Sequence, residues 1–306
     1  MSFKSPKQLF RLAITAAKSW SNDYAPSMGA AISYYTVFSL APLLVIVIAI
    51  AGAVFGREAV QGLISAQLTG LVGASGAEMV EGLIASASDT DKGLVAGLIS
   101  LAVLVFGATT VFAELQSALD RIWKVPASKK PSGIWGLLRA RLLSFGLILG
   151  VGFLLMVSLA VGAGLAALGG WAGTLMPGWE TLLHVLNTVV SLAIFTVLFA
   201  LIYRFMPSTP VRWREVWVGA FVTAVLFEVG KTVIGLYIGK SGMTESFQAA
   251  GSIVILLAWV YYAAQIFLLG AEFTKAYADA DRPPAQKEPQ VPTQENPRKS
   301  AERAAR

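Results

Sequence analysis

Cysteine, histidine and charge are all scarce in this sequence. With no Cys among 306 residues there is no disulfide framework, no thiolate metal site and no cysteine nucleophile. The single histidine, His184, excludes a His-rich metal site and leaves one candidate for a His-based general base. It stands at the start of an apolar run, where an interfacial role at a helix end is expected. Charged side chains make up 14% of the chain and hydrophobic ones 56%, whereas soluble domains are about a quarter charged. That leaves too few polar side chains to cover a water-soluble core, so lipid is the expected solvent. Also missing are a phosphate-binding loop, a dinucleotide fingerprint, a zinc-protease His pair and a Ser-His-Asp set. The expectation is a protein that is not an enzyme and holds neither cofactor nor metal.

What is present is length in apolar runs. A helix needs about 20 apolar residues to cross the hydrocarbon, and six stretches qualify: 29–55, 93–112, 142–165, 182–203, 217–239 and 249–269. The expected fold class is therefore all-α, a polytopic integral membrane protein of six transmembrane helices. No cleavable apolar core follows the N-terminal Lys4, Lys7, Arg11 and Lys18, so the first run is expected to stay. Positive loops are retained in the cytoplasm. With the N-terminus inside, twenty of the 24 Lys and Arg fall on the cytoplasmic side: four before residue 29, six over 121–141, three over 204–214 and seven after 269. Both termini are thus expected in the cytoplasm of a bacterial inner membrane. The net charge of +6 and pI near 9.5 are read as this cytoplasmic bias rather than as affinity for nucleic acid.

Three domains of behaviour follow. Residues 1–28 set Leu9, Phe10, Leu12, Ala13 and Trp20 among Lys7, Arg11 and Lys18, the pattern of an amphipathic helix on the inner surface or of a simple positive anchor. Residues 29–276 form the membrane domain. Within it, 56–92 is an outer amphipathic segment: Val60, Leu63, Ile64, Leu68, Leu71 and Val72 recur at helical spacing, 73–76 interrupts, and Met79, Val80, Leu83 and Ile84 resume. A helical hairpin lying against the bundle is expected there. Residues 277–306, rich in Pro, Gln and charge, have too little apolar surface to fold.

The candidate site residues are the polar groups that the membrane should exclude. Glu228 and Lys231 lie three apart on the fifth span, so their side chains can meet. An unpaired charge at that depth costs about 2.5–3.5 kcal/mol. The pair is either a site for a headgroup or proton, or a charge-neutralising lock between helices. Glu114, Arg139, Arg141 and Glu272 gather at cytoplasmic helix ends, as solvated anchors or as an inner gate whose arginine forks suit phosphate. Pro42 interrupts the first span after Ser33, Tyr34, Tyr35, Thr36 and Ser39. A kinked, hydroxylated helix suits a cavity lining, and the same hydroxyls can bond their own backbone. Glycines four apart (Gly93 with Gly97, Gly146 with Gly150, Gly235 with Gly239) permit close helix approach.

The run Ala30-Ala31-Ile32-Ser33-Tyr34-Tyr35-Thr36-Val37-Phe38-Ser39-Leu40-Ala41-Pro42-Leu43, the Tyr203-Arg204-Phe205-Met206-Pro207 turn leading to Val211-Arg212-Trp213, Gly219-Ala220, and the ending Trp259-Val260-Tyr261 through Leu268-Leu269-Gly270-Ala271-Glu272 together carry a resemblance. Over about residues 20–276 the chain resembles the YihY/virulence factor BrkB family of bacterial inner-membrane proteins. It departs at Ala250, where many relatives carry Tyr. The resemblance implies six helices and a part in envelope integrity or in the handling of lipid or lipopolysaccharide. Expected partners are membrane lipids and a lipid- or lipopolysaccharide-like ligand, with no nucleic acid. The family has also carried the label ribonuclease BN, which fits poorly because the loops lack a metal-binding carboxylate or His cluster. Transport or envelope maintenance leads, a non-transporting assembly factor is the alternative, and a ribonuclease comes last.

Overall fold

The computed structural model describes residues 6–88, 94–126, 179–240 and 251–281. Every element among them is a helix: α1 (Pro6–Asn22), α2 (Ala25–Phe55), α3 (Arg57–Ser88), α4 (Leu94–Ile122), α5 (Trp179–Phe205), α6 (Trp213–Lys240) and α7 (Gly251–Asp281). Helices thus occupy the expected stretches 29–55, 182–203 and 217–239, and those at 93–112 and 249–269 from residues 94 and 251 onward. The expected span 142–165 and residues 282–306 of the expected tail lie outside the described residues, whereas 277–281, also expected not to fold, continue α7 with Tyr277 and Ala278 buried.

Chain turns explain where the long helices begin and stop. Tyr24 takes a left-handed conformation (φ 59°) that ends α1, and Pro26 sits in the first turn of α2, where its missing N–H costs nothing. From there α2 runs through Pro42 without a break for 31 residues, about 46 Å. It stops at Gly56, whose φ of 88° is open to glycine and strained for other residues. The chain re-enters a helix at once, the Val60 N–H donating to the Gly56 carbonyl at 3.2 Å.

Helical backbone continues through all of Arg57–Ser88. Even so, Arg57, Gln61 and Ser65 line the same cavity as Glu81, Ile84 and Ala85. A straight helix would hold residues 61 and 81 about 30 Å apart. The element therefore doubles back, within a stretch that includes Gly70, Gly73 and Gly76. The expected hairpin is present, its reversal falling between Ser65 and Glu81. Its arms rest on the bundle through Val60, Val80 and Ile84, which pack with Ile48 of α2 and with Leu256 and Val260 of α7.

The main core lies towards the Tyr24 end of α2. It joins Met28 and Ile32 of α2, Val111, Leu119 and Ile122 of α4, Phe199 and Tyr203 of α5, Val216, Ala220 and Ala224 of α6, and Ala264, Phe267, Leu268 and Ala271 of α7. Beside it, Leu12 and Ala16 of α1 pack on Phe273 and Tyr277 of α7. The opposite face of α1 leaves Phe10 69% and Ile14 42% exposed, next to Lys7 and Arg11, as a helix lying on a membrane surface requires.

Candidate functional site

Glu228 and Lys231 meet on α6 as their spacing requires, with Nζ of Lys231 2.8 Å from Oε2 of Glu228. Neither is sealed in: the side chains are 29% and 27% exposed, respectively. Aromatic rings from three helices surround the pair. The ammonium lies 5.1 Å from the centroid of Phe195 on α5. Phe195 is 4.9 Å from Phe227 of α6, and Phe227 meets Trp259 of α7 edge-on at 6.1 Å. Ring faces attract the cation, so Lys231 is held by both a carboxylate and a π-face. Part of both side chains nevertheless remains exposed.

Nearer the start of α6, its contact with α7 is closed by glycine notches. Thr274 of α7 fills the space beside Gly219, and Thr223 of α6, with Tyr203 of α5, fills the space beside Gly270 of α7. A methyl group at either glycine would overlap those side chains. The Thr223 hydroxyl donates to the Gly219 carbonyl and the Thr274 hydroxyl to the Gly270 carbonyl, both at 2.7 Å. Tyr203 donates to the Phe267 carbonyl at 2.7 Å and lies 3.1 Å from the Thr223 hydroxyl. Every hydroxyl in this dry contact is therefore satisfied.

At the Tyr24 end, Glu272 is buried to 1% exposure. Its carboxyl lies within hydrogen-bonding reach of Asp23, with Lys124 and Lys275 close enough to act on it. The second Glu272 oxygen, Oε1, is buried without a hydrogen-bond partner. Lys124 reaches the cluster from the end of α4, where it takes φ 51°. Its N–H donates to the Arg121 carbonyl and that of Val125 to Asp120, a helix stop that usually carries glycine at the Lys124 position. Asp120 also accepts from the Ser208 N–H and hydroxyl, each at 2.7 Å, which ties α4 to the turn after α5. In that turn Arg204 donates to the Val211 carbonyl and stands 5.7 Å from the Trp213 ring centroid.

The other sequence candidates do not join these groups. Tyr34 and Tyr35 point outward, 57% and 37% exposed. The hydroxyls around them bond to backbone: Ser33 donates to Leu257 of α7 at 2.9 Å and Thr36 to Ile32 at 2.7 Å. Pro42 packs on α4, its Cγ 3.2 Å from where a Cβ at Gly107 would lie. Glu114 is half-buried on α4, and Arg139 and Arg141 lie outside the described residues. Sequence reasoning missed Asp23, Lys124 and Lys275, because no spacing connects residues that meet only through the packing of separate elements. It also missed the notches. The glycine pairs it singled out do not include Gly219 or Gly270, and Gly146 and Gly150 lie outside the described residues.

The stretches Ala25–Ala49, Val185–Phe205 and Ile253–Asp281 are long and apolar enough to cross a membrane, yet only 28%, 17% and 33% of their most apolar windows is buried by protein. Val185, Val189, Phe221 and Val229 are among the large apolar side chains that face outward. Such a surface needs lipid around it, and the molecule is a helical membrane protein. The family model for Virulence factor BrkB matches residues 16–294, and the chain belongs to that family. A UPF0761 membrane protein of Pseudomonas paraeruginosa is 32% identical over 259 residues, 81% of this chain and 58% of its own length. The UPF0761 membrane protein YihY of Salmonella typhimurium is 37% identical over 179 residues, 56% of each chain. The chain thus spans little more than half the length of these relatives. No solved structure matches.

Proposed function

We propose that this protein works in the inner membrane, with six spans and both termini in the cytoplasm, and maintains the envelope by carrying a lipid-like or anionic substrate. The half-open Glu228–Lys231 pair carries this reading. A lock between helices gains most when it is sealed from competitors. This pair instead stays partly exposed, with Lys231 beside Phe195 at one end of a row of rings that continues through Phe227 to Trp259; rings suit acyl chains and Lys231 suits an anionic headgroup. The bias of Lys and Arg in the sequence supports the orientation. It sets the Asp23–Glu272 cluster at the cytoplasmic face and the α2–α3 turn at the outer one. The role is one of carriage rather than catalysis, with membrane lipids or a lipopolysaccharide-like molecule as ligand and no part for nucleic acid.

The test uses cells whose own copy has been deleted. Glu228→Gln, at wild-type abundance, is expected to leave the envelope as sensitive to detergents and bulky antibiotics as the deletion does. Normal resistance in that variant would remove the pair from the mechanism. Recovery of function on reversing both charges, Glu228→Lys with Lys231→Glu, would assign the pair to a structural lock. A second reading, a non-transporting assembly factor, draws on the outward aromatic row of Tyr34, Tyr35 and Phe38, with Phe38 66% exposed. On that reading Tyr34→Ala with Phe38→Ala abolishes function while Glu228→Gln is silent.

A further inference from the structure

The α3 hairpin and the far end of α2 enclose a cavity of about 420 Å³ that the pair on α6 does not share. Arg57, Gln61, Gly62, Ile64 and Ser65 of the first arm face Glu81, Ile84 and Ala85 of the second across it, and Ile48 of α2 also lines it. Its volume falls within the range of small-molecule sites, about 300–1,000 Å³.

The lining divides by chemistry. Ile48 and Ile84 are 2% and 7% exposed and, with half-buried Ile64, belong to the apolar cluster beneath. Arg57 and Glu81 are exposed and stand on opposite arms, and no ion pair joins them among the described residues. Gln61 and Ser65 add a neutral amide and a hydroxyl on the Arg57 arm. Two unlike charges held apart over an apolar base complement a molecule with an anion and a cation a few bonds apart and a hydrocarbon part attached. A guanidinium fork matches a phosphodiester, and a carboxylate matches a primary ammonium that can donate to it. The cavity also sits where α2 ends at Gly56, the depth at which headgroups lie when α2 crosses a bilayer.

We propose that this cleft binds the headgroup of an amine-bearing zwitterionic phospholipid, its phosphate on Arg57 and its ammonium on Glu81. This deepens the lipid-carriage reading, on which it rests, by giving the substrate class and a docking place separate from the pair at Glu228 and Lys231.

The experiment is native mass spectrometry of the full chain in detergent, titrated with phosphatidylethanolamine, phosphatidylglycerol and phosphatidylcholine. Wild type is expected to retain phosphatidylethanolamine over the other two. Arg57→Gln and Glu81→Gln should each reduce that retention about tenfold, the loss of one charge-assisted hydrogen bond. Glu58→Gln, exposed and outside the cleft, should leave it unchanged, and all three should keep the thermal unfolding midpoint of wild type because their side chains lie at the surface. A failure of the carriage reading shows in the envelope behaviour of Glu228→Gln, and a failure of this one in the lipid retention of Arg57→Gln and Glu81→Gln. Equal retention in Arg57→Gln and Glu81→Gln overturns the proposal. So does preference for phosphatidylglycerol with Glu81→Gln silent. Displacement by equimolar glycerophosphoethanolamine would make the soluble headgroup the ligand and overturn the bilayer source, whereas resistance to it upholds the lipid.

Discussion

The contact between α6 and α7 changes character along its length. Around Gly219, Thr223, Gly270 and Thr274 it is dry and interlocked, each hydroxyl bonded and each notch filled. Two turns on, Gly230 is closed in the same way by Ile266 and Tyr262 of α7, but its neighbours Glu228 and Lys231 lie beside Phe195 of α5 and leave charge partly accessible. Neither region should tolerate added volume at its glycines, and the second should in addition be sensitive to loss of charge.

The sharpest challenge to this contrast is bulk at a notch. Gly270→Leu forces Thr223 and Tyr203 aside and is expected to cost about 3 kcal/mol, read as lost abundance in the membrane and a lowered unfolding midpoint in detergent. Had the closed region slack, the variant would accumulate normally. Next comes Tyr203→Phe, which removes the hydroxyl's bond to the Phe267 carbonyl and should remove about 0.5–1.5 kcal/mol of stability; an unchanged midpoint would mean that water reaches this contact. Glu228→Gln should move the midpoint less than either, because its carboxyl is partly solvated, while the envelope readout falls about tenfold with the loss of a charge-assisted bond. Smallest of all is Glu272→Gln. The amide keeps the size and shape of the buried side chain, so the cost should stay below about 1 kcal/mol. A large loss would mean that this end of the bundle depends on the carboxyl group itself.

Much of the helical framework could be read directly from the chain, because apolar run length and hairpin periodicity are local properties. The bend of α3 was visible in the interruption at 73–76, and the meeting of Glu228 with Lys231 in their spacing of three. Features that depend on the register between helices were hidden. Gly219 and Gly270 stand in the sequence only as parts of the motifs that carry the family resemblance, and their packing role stays hidden because it comes from threonines opposite them on another helix. Glu272 stood out as a charge at a helix end, but its environment is assembled from the α1–α2 turn, the end of α4 and α7. The cleft at Arg57 and Glu81 was equally invisible, because it exists only once α3 has folded back against α2.

The packing of α1 and α2 against α7 has a consequence for biosynthesis. Leu12 and Ala16 find their partners on Phe273 and Tyr277, and Ser33 finds its acceptor on Leu257, some two hundred and more residues downstream. Because chains emerge N-terminus first, the earliest helices reach the bilayer long before the surface that completes them has been made. During that interval Ser33 lacks its tertiary acceptor and α1 has only the membrane surface to cover its apolar side. Synthesis of α7 is then the step that converts a set of inserted segments into one body, and a chain cut short before residue 251 presents quality-control proteases with a recognisably unfinished product.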